Sequence, residues 1–76
     1  MWDDAAGNIY TAVASNRVVK KFDQTGKEEI VLRTAIPWTP TGGLVSPSGE
    51  LWVLECSDTN TVRVERVTST NKRIVY

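Results

Sequence analysis

Apolar and polar positions alternate in short runs along the chain, and clusters of turn-forming residues separate the runs. Strand patterns occupy residues 8–14, 17–23, 28–33, 43–45, 50–56, 61–68 and 72–76. Between them stand turn signals such as Ala6-Gly7-Asn8, Asp23-Gln24-Thr25-Gly26, Pro40-Thr41-Gly42-Gly43, Pro47-Ser48-Gly49, Asp58-Thr59-Asn60 and Thr70-Asn71. In 50–56, Leu51 and Val53 point one way while Trp52, Leu54 and Cys56 point the other. A strand apolar on both faces needs packing partners on both. In 61–68, Val62 and Val64 share one face and Arg63 and Glu65 the other, the pattern of a strand half exposed to water. No window carries an i, i+3, i+4, i+7 apolar stripe, so the expectation is an antiparallel all-β protein without helix. Composition agrees: Val, Ile and Thr supply 23 of 76 residues, against four Leu and five Ala.

The order of the runs repeats. The segment Asp4-Ala-Ala-Gly7-Asn8-Ile9-Tyr10 matches Ser46-Pro-Ser-Gly49-Glu50-Leu51-Trp52, and Asn16-Arg17-Val18 meets Asn60-Thr61-Val62 further on. The period is 42 to 45 residues, and four short strands per period of roughly 40 to 50 residues is the sequence signature of a β-propeller blade. The blade boundaries fall at 1–34 and 35–76. The first blade has its second, third and fourth strands, but only Met1-Trp2-Asp3 stand where an inner strand belongs, giving seven strands in all. A propeller needs at least about four blades to close. The expectation is therefore a partial propeller, the C-terminal part of a larger one, with ring closure by copies of the chain as the competing reading.

Asp4-x-x-Gly7-Asn8-Ile9-Tyr10, followed by Asn16-Arg17-Val18-Val19-Lys20 and Phe22-Asp23, resembles the NHL repeat, as does Pro40-x-Gly42-x-x-Val45-x-x-x-Gly49 at the opening of the second unit. The chain departs from that pattern at Gly43, where the family usually has Val, at Ser46, where it usually has Asp, and at Glu55-Cys56-Ser57-Asp58. The resemblance implies a non-catalytic binding or scaffold module whose partners are the remaining blades or copies of itself. Similar lactonase-type propellers hold a metal in the central channel, which makes a metal-dependent propeller enzyme, lactonase-like or lyase-like, the alternative.

Charge, cysteine content and size narrow the chemistry. Nine basic residues balance nine acidic ones, without the basic excess of a phosphate-reading nucleic-acid binder. No apolar run approaches the roughly 18 residues of a membrane span. The expectation is a chain with neither nucleic acid nor membrane as partner. The chain has no His, which removes His ligands and His general bases, and its one Cys allows no internal disulfide. A chain this short buries only roughly 60 to 65% of its unfolded surface, so its core needs outside support.

Trp38, flanked by Pro37 and Pro40 in the connection between units, is a candidate for ligand or partner contact, because such connections lie at binding faces. Glu55 and Asp58 bracket a turn with Asn60, and their oxygens would suit a hard cation such as Ca²⁺ in a parent propeller. The same residues are also ordinary turn formers, and no cofactor is expected for this chain itself. Tyr10 and Trp52 are expected to pack between sheets, and Cys56 to be a small buried hydrophobe. Arg63, Arg66, Lys72 and Arg73 are expected on solvated outer strands.

Overall fold

A computed structural model describes all 76 residues, which form two four-stranded antiparallel sheets in strict sequence order. The first sheet contains β1 (Trp2–Asp3), β2 (Ile9–Val13), β3 (Val18–Phe22) and β4 (Glu28–Arg33). The second contains β5 (Thr39–Val45), β6 (Leu51–Cys56), β7 (Val62–Val67) and β8 (Arg73–Val75). The only helical residues are a single 3₁₀ turn, Ala14–Asn16. There are eight strands rather than seven, because Trp2 and Asp3 pair with Tyr10 and Ile9. Strand β5 also starts four residues earlier than its sequence pattern indicates. Pro40 and Gly42 lie within it at a register shift, which an edge strand tolerates because the missing proline N–H is not needed by a further neighbour.

Five of the six hairpin turns use one chemical device. The residues Asp4, Asp23, Ser46, Ser57 and Thr68 each begin a turn whose fourth residue has positive φ: Gly7, Gly26, Gly49, Asn60 and Asn71 respectively. In each, the backbone carbonyl of the first residue accepts from the N–H of the fourth. Its side-chain oxygen accepts from the backbone N–H of the fifth, at 2.9 to 3.2 Å. Only Gly, Asn and Asp take a left-handed conformation cheaply, which is why these residues recur at this position. The Asp4 turn is the most elaborate, since its carboxylate also accepts from the Asn8 amide and the Tyr10 hydroxyl. Hydrogen bonding from Asn8 leads in holding the Asp4 carboxyl down at about 2, and burial leads in pushing the Tyr10 phenol up to about 12.

The sheets stack face to face. Tyr10, Val19 and Leu32 from the first meet Leu51 and Val53 from the second, with Trp2, Val45 and Val67 packed around them. Tyr10 thus lies between sheets, as its sequence pattern indicates. Trp52 does not: it sits on the far face of the second sheet, stacked on Tyr76 at 5.7 Å. Pairing registers make the two sheets equivalent. Trp2 opposite Tyr10 corresponds to Leu44 opposite Trp52, and Phe22 opposite Ile9 corresponds to Val67 opposite Leu51.

Gly43 is where β1 and β5 approach. A Cβ there would lie 2.9 Å from Cζ2 of Trp2 and would collide with the Trp52 carbonyl oxygen, so the absent side chain leaves room for the Trp2 indole. Gly43→Val is expected to destabilise the fold by about 1–3 kcal/mol, the usual cost of overpacking. Gly42→Ala, with nothing within 4 Å of its Cβ, should cost much less. Urea denaturation followed by tryptophan fluorescence checks both; equal midpoints would refute the close-approach account.

Candidate functional site

Trp38 closes the connection between the sheets. Its N–H donates to the Ala35 carbonyl at 2.7 Å, and its own carbonyl accepts from the Thr34 hydroxyl at 2.7 Å. The Arg63 guanidinium carbon stands 4.3 Å from the Trp38 ring centroid, a cation–π contact. Arg63 sits on β7 directly opposite Glu55 of β6, and its Nε donates to Glu55 Oε1 at 2.7 Å. One diagonal step along the ladder lies Glu65, whose Oε1 accepts from Arg73 Nε at 2.5 Å. Arg73 in turn donates through Nη2 to the Arg33 carbonyl of the first sheet at 3.0 Å. A continuous polar line therefore runs from Trp38 through Arg63, Glu55, Glu65 and Arg73 to the end of β4.

The two carboxylates at its centre are buried, Glu55 with 0% and Glu65 with 1% of its surface exposed. Each has one oxygen, Oε2, with no conventional partner. A single proton shared between the two groups accounts for both. Burial first, and the neighbouring Glu65 second, push Glu55 up to about 7 against the pull of Arg63. For Glu65, burial also opposes ionisation, but the bond from Glu55 and the one from Arg73 outweigh it and its carboxyl is lowered. Glu55 therefore holds the proton and Glu65 the charge.

Of the four residues singled out in the sequence, Trp38 and Glu55 are brought together, through Arg63. Asp58 and Asn60 are not. Asp58 is exposed at the tip of the β6–β7 turn, and Asn60 supplies its left-handed position, φ 63°, with its N–H on the Ser57 carbonyl at 3.2 Å. No group of three or more His, Cys, Asp or Glu side chains is placed to hold a metal ion. The two carboxylates have no accessible surface, whereas Trp38 and Arg63, both half-buried, present part of theirs to solvent.

Three sequence expectations are corrected. The Arg63 and Glu65 face of β7 is the one turned towards the first sheet, while Val62 is 60% exposed, the reverse of the polar-out pattern. The inversion follows from register: Glu55 alternates with Leu51 and Val53, so the strand opposite must bring a cation to that face. Arg63 is accordingly the partner of a buried carboxylate rather than a solvated edge charge, while Arg73, on the edge strand β8, is solvated as expected and also pairs with Glu65. Cys56 is half-buried at the end of β6, not a core residue.

No protein-family model, curated protein or solved structure matches the chain.

Proposed function

We propose that this chain is an NHL-like β-propeller segment of two blades, a non-catalytic binding or scaffold module and part of a larger propeller, whose partners are the remaining blades or copies of itself. One observation carries the reading: the two meanders stack with their repeat-equivalent faces pointing the same way. Tyr10 faces the second sheet, while its equivalent Trp52 faces away from the first. Two sheets packed like a closed sandwich would instead turn equivalent faces towards each other. Same-way stacking is how blades follow one another around a propeller. Partner contact falls to Trp38 in the connection, to Arg63 of β7 beside it and to the exposed turn at 58–60, all at one end of the second sheet.

The test is a single polypeptide of three copies, joined by repeats of the natural connection at 34–38. A closed six-sheet disc is expected, seen as a compact annular particle by small-angle scattering and electron microscopy. A string of independently tumbling 76-residue units would overturn the reading.

A further inference from the structure

We infer that the open face of the second sheet is a docking surface for a second copy of this chain, which presents the outer face of its first sheet, in a head-to-tail interface. The inference rests on the two-blade reading above and names the surfaces through which it acts. Nine large hydrophobic residues of the chain are exposed, against six hydrophobic residues in its core. Three of the nine, Leu44, Leu54 and Tyr76, join the half-buried Trp52 and Val64 in lining a shallow apolar hollow of about 490 Å³ on the side of the second sheet away from the first. Apolar side chains clustered on one open sheet face gain by being covered with another apolar surface rather than water.

The occupant follows from the fold's own internal interface. Leu44 and Trp52 are the repeat equivalents of Trp2 and Tyr10, the residues through which the first sheet packs on the second. What covers Trp2 and Tyr10 is the face bearing Leu51, Val53 and Val67. The equivalent of that covering face in the first sheet carries Ile9, Thr11 and Phe22. It is uncovered too, with Ile9 at 45% exposure. One charge pair on it is matched within the face, Lys20 Nζ lying 2.9 Å from Glu28 Oε1 across the strands. The chain therefore offers one free surface of each kind, on opposite sides of the molecule. Surfaces so placed repeat the internal contact between chains and generate rings or filaments, not a two-fold dimer.

Complementation between two blocked variants tests this. Leu54→Asp disables the open face of the second sheet and Thr11→Arg the outer face of the first. By sedimentation, wild type is expected above the 8.4 kDa of one chain and each variant alone at one chain. The mixture of the two should give a discrete complex of twice that mass, because one intact surface of each kind remains. A wild type that stays monomeric at several hundred micromolar overturns the inference. So does a Thr11→Arg chain that still dimerises, which would mean that the second-sheet faces pair with each other.

Circular dichroism verifies that the variants fold, and a measurement on the unmutated sequence stands beside them. With a nitroxide on Cys56, which shares a face with Trp52 and Leu54, mixing with isotope-labelled chain should broaden the amide signals of Ile9 to Val13. No intermolecular broadening, or broadening at Trp52 and Leu54 instead, is the contrary result. A tandem of copies that closes while free chains stay monomeric removes this inference and leaves the two-blade reading standing. Complementation without tandem closure does the opposite.

Discussion

Arg73→Ala is expected to lower unfolding stability by about 1–3 kcal/mol, a large part of the roughly 4–11 kcal/mol available to a domain of this length. Removing one partner of a buried ion pair typically costs about 3–5 kcal/mol, because the other charge is left without compensation. Glu65 is that other charge here, its side chain 2% exposed. Two features reduce the cost. The Arg73 side chain is itself 45% exposed, so water enters the vacated position, and Glu65 can take up a proton instead of remaining charged. A third acts the other way, since the substitution also removes the bond to the Arg33 carbonyl that ties β8 to β4. Lys20→Ala is the control. It breaks an ion pair whose partners are 25% and 50% exposed and should change stability by less than about 0.5 kcal/mol. Arg73→Lys should restore only part of the loss, because an ammonium reaches Glu65 or the Arg33 carbonyl without the fork that spans both. Urea midpoints at unchanged m-values measure all three. An Arg73→Ala loss no larger than that of Lys20→Ala would show that the Glu65 pair carries no structural weight.

Much of the fold is legible in the residues and much of the site is not, for a physical reason that β7 illustrates. Strand positions and turns follow from local chemistry, the Gly or Asn of each turn being dictated by its own φ. Which face of a strand is buried depends on what lies opposite, and that is set by register. Val62, Arg63, Val64 and Glu65 alternate cleanly and allow either orientation; Glu55, on the neighbouring strand, decides it. The readable signal was Glu55 in phase with Leu51 and Val53, paired with the alternation of Arg63, Glu65 and Arg73 at spacings that cross-strand diagonals bring together. The two-residue β1 lies below the length at which any pattern can be seen, and it exists because Trp2 stacks on Tyr10 at 5.9 Å over the space left by Gly43. Trp38 stood out by its prolines. The guanidinium above it comes from a strand some 25 residues away in sequence, so its placement belongs to the tertiary fold alone.

Stability is expected to fall as pH rises from about 5 to about 8, and Glu55→Gln should abolish that fall. Glu55 has its carboxyl raised in the folded chain to about 7, from an ordinary value of 4.5. Between those values the native state binds a proton that the unfolded state has released, so each step up in pH favours unfolding until the folded group has also titrated. Below about pH 4.5 the sign reverses. Glu65 and Asp4 are lowered in the folded state, Asp4 to about 2, and their contribution is lost as they protonate. The thermal midpoint should therefore peak near pH 5. A full shift of that size corresponds to about 3 kcal/mol, and access of solvent to Arg63 brings the expected fall to roughly 1–2 kcal/mol. Glutamine reproduces the protonated acid: its amide N–H donates towards Glu65 while its oxygen still accepts from Arg63. The variant should match wild type at pH 5, exceed it at pH 8 and show a flat profile between. If the two profiles instead run parallel from pH 5 to 8, the proton does not reside on the Glu55–Glu65 pair. The line from Trp38 to Arg33 would then be held by two fully ionised pairs, and the stability of the contact between the sheets would be indifferent to pH across that range.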